Sequence, residues 1–133
     1  METIQVRSTG RRQFVDITAA VRDAVRKSGV SSGIAVLFVP HTTAGITVNE
    51  NADPDVKRDI AFALERAVPD RGFAHAEGNS DAHAKAVMTG FSLNLIVENG
   101  QPVLGTWQDI YLCEYDGPRN RKVFLKILEE RSE

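Results

Sequence analysis

His41, His75 and His83 are the three histidines of the chain, and each falls in a polar, turn-forming segment: Pro40-His41-Thr42-Thr43, Ala74-His75-Ala76-Glu77 and Asp81-Ala82-His83. None interrupts an apolar stripe. Imidazole is a common donor to zinc and other divalent ions, and three such donors with a position left open make a catalytic geometry. Spacing alone fits three unrelated surface or capping histidines equally well. What sets the segment apart is density: between His75 and Lys85 the chain also carries Glu77, Asn79, Asp81 and His83, groups able to ligate, transfer protons or bind an anion.

Gly78 lets the backbone turn tightly inside this cluster. His83 and Lys85 fall in the first turn of a helix expected to begin at Asp81, where unpaired backbone N–H groups and the positive dipole end favour a phosphate. Asp81 is most simply the N-cap of that helix, and Glu77 is suited to holding a histidine ring by a hydrogen bond. A second cluster, Asn49-Glu50-Asn51-Ala52-Asp53, puts amides and carboxylates at a strand end. Such sets hold magnesium through one or two carboxylates plus substrate phosphates, although capping accounts for Asp53. Successive strand residues point to opposite faces, so either Asn49 or Glu50 should face inward. In the third cluster, Gly105-Thr106-Trp107-Gln108-Asp109, Trp107 is either core or a platform for a flat heterocycle whose edge Gln108 reads. Arg119 and Arg121 suit a phosphate through bidentate hydrogen bonds, or are simply solvated.

These groups must be positioned by alternating strands and helices. Ile4, Val6 and Ser8, then Phe14 and Val15, read as one or two short strands broken at Gly10-Arg11-Arg12. Ile17, Ala20, Val21, Ala24 and Val25 have the spacing of a one-sided helix, capped by Asp16 or Thr18 and ended by Gly29. The apolar run Gly33–Pro40 predicts a strand covered on both faces, followed by strand from Gly45 to Glu50. Between them, residues 41–44 form either a hairpin tip or a bend. Asp53-Pro54 starts a helix whose buried face is expected at Val56, Ile60, Ala63, Leu64 and Ala67. After a polar loop the helix at Asp81 runs to about Thr89. Strands follow at 91–97, 110–114 and 123–127, with a hairpin turn at Asn99-Gly100. The class is α+β, mostly antiparallel.

The 133 residues carry 16 basic and 18 acidic side chains, a formal net charge of −2, with 42% hydrophobic and 26% charged residues. This composition fits one folded domain over 1–133 and supplies no basic field for nucleic acid. A lone cysteine, Cys113, excludes an intramolecular disulfide and every multi-cysteine zinc motif, which points to a reducing cytoplasm. No apolar run approaches a spanning helix, so neither membrane insertion nor export is expected.

Taken together, PHTTAGITVNENADPDVKRDI at 40–60, HAEGNSDAHAKAVMTGFSL at 75–93 and LGTWQDIYLCEYDGPRNRKV at 104–123 resemble the YjbQ family, also called secondary thiamine-phosphate synthases. The resemblance implies β-sheets packed as a sandwich with two to three helices, a homotrimer with sites near its subunit interfaces, and bound zinc or an anion. It implies a reaction joining a pyrimidine pyrophosphate to a thiazole phosphate, with magnesium possible alongside the phosphates. On residues and resemblance together, His41, His75 and His83 are assigned to metal. Asn49, Glu50, Glu77 and Asp81 are assigned to catalysis, and Thr42, Thr43, Asn79, Lys85, Trp107, Gln108 and Arg119 to a phosphorylated ligand. Asp109 departs from the glycine expected after the GTWQ core. The competing readings are a metal-assisted hydrolase or phosphatase with Glu77 as general base, and a non-enzymatic trimeric module that binds a phosphorylated metabolite or metal.

Overall fold

The turn at Gly10-Arg11-Arg12 separates two strands, β1 (Glu2–Arg7) and β2 (Gln13–Asp16), and sends them into different sheets. The computed structural model describes residues 1–131, so the last two residues of the expected domain lie outside it. The order continues α1 (Thr18–Ser28), β3 (Gly33–Phe38), β4 (Ala44–Glu50), α2 (Pro54–Ala67), α3 (Ser80–Thr89), β5 (Ser92–Glu98), β6 (Gln101–Pro102), β7 (Gln108–Glu114) and β8 (Asn120–Glu129). One sheet has the order β1-β8-β3-β5-β6 and the other β2-β7-β4, with antiparallel pairing in both. The protein is α+β, as its periodicities predict. None of its helices among the described residues is long and apolar enough to cross a membrane.

The two sheets face each other across a core of aliphatic side chains, including Leu37 and Val97 from one and Ile46, Ile110 and Leu112 from the other, closed by Val21 and Val25 of α1. Asp16 Oδ1 accepts the Thr18 N–H at 2.9 Å at the start of α1. Gly29 ends the helix at φ 72°, a conformation that costs glycine least. The outer face of β7 carries Tyr111 and Cys113, which with Tyr115 just beyond its end pack with Ala82 and Ala86 of α3 in a second, smaller core.

Three expectations are corrected. β3 is covered on one face only: Ala35 and Leu37 are buried, while Ile34 and Phe38 stand exposed on the open side of the five-stranded sheet. The strand covered on both faces is β7, between the main core and α3. Residues 41–44 form neither a hairpin tip nor a bend in one strand, because β3 and β4 belong to different sheets and the chain crosses between them there. Finally, α2 is capped as expected, with Asp53 Oδ1 accepting the Asp55 N–H at 2.9 Å, but none of its residues is buried. Its inward face is half-buried Val56, Ile60, Ala61, Leu64 and Val68, whereas Ala63 and Ala67 are exposed.

Candidate functional site

His75 from the loop and His83 from α3 meet edge to face, with ring centroids 5.7 Å apart. His41 does not join them in a metal-holding set: among the described residues no three His, Cys, Asp or Glu side chains are grouped as an ion would need. Its Nε2 instead accepts the Lys122 backbone N–H at 2.9 Å. That bond requires a neutral ring with its proton on Nδ1. Burial and then the nearby Arg121 charge push the His41 pKa below its ordinary value.

The expected cap at Asp81 is also corrected. α3 begins at Ser80 after Asn79, and Asp81 is in its first turn with its carboxylate buried. Asp81 Oδ2 accepts from Arg12 at 2.7 Å and from Lys85 at 3.2 Å, while Lys85 also donates to Glu65 Oε1 at 2.6 Å. Asp81 and Lys85 are four residues apart and share a helix face; His83, two positions on from Asp81, points to the opposite side. The helix therefore divides the His75–Lys85 cluster into an exposed imidazole pair and a buried ion network. Burial alone would raise the Asp81 carboxyl, but the hydrogen bonds from Arg12 and Lys85 outweigh it and hold it below the ordinary range. The Lys85 ammonium, expected at a phosphate, is committed to two carboxylates.

Asn79 ties the start of α3 to the turn after β7, donating Nδ2–H to Asp116 Oδ2 at 2.9 Å; its buried Oδ1 has no partner. Arg119 donates to the Asp116 carbonyl at 2.7 Å and to its carboxylate at 3.0 Å, leaving the guanidinium half-exposed beside Asn79. Burial alone would raise the Asp116 carboxyl, but the hydrogen bonds to it from Asn79 and then Arg119 outweigh that and hold it low. The neighbouring Arg121 is neither solvated nor free for phosphate. It is buried, donating Nε–H to Glu114 Oε1 at 2.8 Å and Nη2–H to Thr43 Oγ1 at 2.8 Å and to Glu114 Oε2. Ser8 Oγ donates to the same Glu114 at 2.6 Å. Thr43 thus serves a buried internal network, while Thr42 and Glu77 are exposed and make no side-chain hydrogen bond among the described residues.

The remaining candidates lie at the other end of the three-stranded sheet. Glu50 pairs with Gln108 and Ala44 with Glu114, so the run of β7 puts roughly 20 Å between the ends at about 3.3 Å per residue. There Gln108 Oε1 accepts the Gly105 N–H at 2.7 Å and closes its own turn, and the Trp107 side chain is 63% exposed. Of the strand-end pair, Glu50 is half-buried and Asn49 exposed, with Asn49 Oδ1 accepting the Glu50 N–H at 2.7 Å. The structure thus brings together His75, Asn79, Asp81, His83, Lys85 and Arg119 around α3, and sets Asn49, Glu50, Trp107 and Gln108 apart.

Arg12, Glu65 and Ser8 join these networks without any local motif to announce them. The one signal that could have pointed to them is Glu114, a carboxylate ending the apolar run from Ile110, since a buried carboxylate must find a partner. Gly45 has a comparable positional role: a Cβ there would stand 2.8 Å from the Gly90 carbonyl, so its absence lets the end of α3 lie directly on β4.

A family model described as "UPF0047 protein YjbQ-like" matches residues 2–130. Among curated relatives, UPF0047 protein MJ1081 of Methanocaldococcus jannaschii is 49% identical over 128 residues, covering 96% of this chain and 93% of the relative. UPF0047 protein YugU of Bacillus subtilis is 47% identical over 133 residues, covering 96% and 98%. Among solved structures, an uncharacterized conserved protein of the YjbQ/UPF0047 family from Clostridium acetobutylicum superposes with a TM-score of 0.93 at 55% identity, covering 96% of this chain and 100% of that one. A YbjQ-like protein of unknown function from Sulfolobus solfataricus gives a TM-score of 0.92 at 36% identity, covering 97% and 96%.

Proposed function

The chain belongs to the YjbQ-like UPF0047 protein family, and from that premise we propose that it acts in the cytoplasm on a small phosphorylated metabolite at the start of α3. The observation that carries this reading is the meeting of His75 and His83 at the start of α3, where Asn79 and Arg119 both hold Asp116. Neither imidazole has a hydrogen-bond partner among the described residues, so both are free to serve a ligand. Arg119 adds a half-exposed guanidinium, and the buried Asn79 Oδ1 awaits a donor.

Thiamine-phosphate synthesis is the reaction implied by the motif resemblance. In it a thiazole nitrogen bonds to the exocyclic methylene carbon of the pyrimidine while the carbon–oxygen bond to pyrophosphate breaks. The transition state asks for positive charge at the departing pyrophosphate and for alignment of the two rings, with little proton transfer. Arg119 supplies the first, and the two imidazoles can add N–H donors to phosphate oxygens. A zinc ion does not fit one chain alone, since two converging imidazoles fall short of the three or four donors it takes. A third would come from a second copy in the homotrimer, and magnesium would enter with the substrate phosphates.

The homotrimer has a surface to form on. The open side of the five-stranded sheet exposes Ile34, Phe38, Ile96 and Leu128, with Phe38 packed on Phe91 at 5.7 Å and on Phe124 at 6.5 Å between centroids. Contiguous exposed apolar groups of this kind mark protein contacts, and second copies are the occupants we assign. The test combines purified protein with the pyrimidine pyrophosphate and thiazole phosphate, with zinc, magnesium or chelator, and follows thiamine phosphate and pyrophosphate. Turnover lost in His83→Ala supports the reading. Phosphate-ligand binding without turnover moves the protein to the binding-module class, and absence of both removes the proposal. Sedimentation of Phe38→Lys tests the assembly.

A further inference from the structure

We propose that the space between α2 and the outer face of the three-stranded sheet is a binding site for a small uncharged aromatic molecule that carries a hydrogen-bonding oxygen. This goes beyond the reading above, because the space lies on the Asp81–Lys85 side of α3 and the imidazole pair on the other. α2 covers the sheet without burying any of its own residues. Beneath it are two adjoining cavities, of about 240 and 260 Å³, which share Phe14, Lys57, Leu64 and Tyr115 as walls. An engineered apolar cavity of about 150 Å³ is enough to bind benzene, so each lobe has room for one ring.

The accessible wall is mainly apolar, from Phe14, Ile60, Leu64 and Tyr115, set among charged side chains, and the buried Tyr111 hydroxyl on it is unspent. Tyr111 lines the second lobe, is 2% exposed, and its hydroxyl has no hydrogen-bond partner. A buried hydroxyl left unpaired is destabilising, and a ligand oxygen would supply the missing bond. Burial, with Asp16 and Asp109 nearby, pushes the Tyr111 pKa up to about 12, so the hydroxyl stays protonated and able to donate.

The ionised groups argue for a neutral ligand. Arg12 and Lys85 are matched by Glu65 and Asp81, Glu114 by Arg121, and Arg58 by Asp55. Lys57 has its ammonium on Asn51 Oδ1 at 2.8 Å and 5.2 Å from the Tyr111 ring centre, with Asp16 and Asp109 held by the same Asn51. An added charge would therefore enter a balanced site without a counter-ion.

Phenol, toluene and benzoate are the probes, followed by ¹H–¹⁵N chemical shifts of the full chain. Phenol should give saturable shifts at Leu64 and Tyr115, with about tenfold weaker binding of toluene and no binding of benzoate over the same range. Ala61→Phe, which fills the first lobe from α2, should reduce phenol binding at least tenfold with the thermal midpoint kept; Leu64→Trp serves if that variant does not fold. Tyr111→Phe should bring phenol down to the affinity of toluene, while His75→Ala leaves phenol binding unchanged. Absence of saturable phenol binding, its survival in the filled variants, or equal affinity for phenol and toluene in the unmodified protein would each overturn the proposal. Benzoate binding as tightly as phenol would overturn its assignment to a neutral ligand.

Discussion

Arg121 on β8 and Glu114 on β7 form a buried ion pair that joins the two sheets, with Arg121 Nε 2.8 Å from Glu114 Oε1. Ser8, Thr43 and the Asp116 N–H complete the hydrogen bonding of the pair. Two charges withdrawn from water repay the desolvation only when fully bonded in this way.

Removing one partner should leave the other charged and unpaired. Arg121→Met is expected to destabilise the fold by about 3–5 kcal/mol. Arg121→Met combined with Glu114→Met should cost much less than the two single changes added. Urea unfolding of the four proteins checks this, and strict additivity would mean that the pair is not coupled.

Stability should fall with acidification in two stages. His41 has a lowered pKa in the folded state, so the unfolded chain takes up its proton first; the contribution is whole above about pH 6.5 and declines as pH falls through the folded value. Glu114, Asp81 and Asp116 are also held low, and their contributions are whole above about pH 4.5 and drain away below it. Urea midpoints measured across pH should show both declines. His41→Gln should abolish only the upper one, and an unchanged profile in that variant would remove His41 as its source.

His75→Ala and His83→Ala should lose metal or phosphorylated-ligand binding together while keeping the native thermal midpoint, since neither ring belongs to a core cluster. Elemental analysis with circular dichroism measures both quantities. Full retention of binding in both variants would end the imidazole-pair assignment.

Arg119→Ala should weaken binding of a phosphorylated ligand by about 1–3 kcal/mol if its guanidinium makes a charged hydrogen bond. Trp107→Phe should leave that binding unchanged, because Trp107 lies beyond the far end of β7. Isothermal titration of the two variants against inorganic phosphate and the thiazole phosphate separates these effects, and equal losses would contradict the placement of Trp107.

Several features that depend on neighbours within about four residues were readable from the chain. Asp53-Pro54 announced α2, Gly29 stopped α1, and both Asn99 and Gly100 adopt the positive φ that their turn was expected to need. The density of ligating groups from His75 to Lys85 marked the right neighbourhood, yet a helix face decided which of them share a side. Tertiary structure alone decided the rest, because it depends on contacts between distant segments. Ser8 meets Glu114 across 106 positions, Arg12 meets Asp81 across 69, and β3 and β4, nearly consecutive, enter different sheets. Periodicity reports how a segment's apolar side is arranged but not which partner covers it, so β3 read as doubly covered when that place belongs to β7. The sequence by itself determined most of the elements, the start of α2, the stop of α1 and the family; the burial of Arg121, the separation of Trp107 from the imidazoles and the open space beneath α2 follow only from how those elements pack.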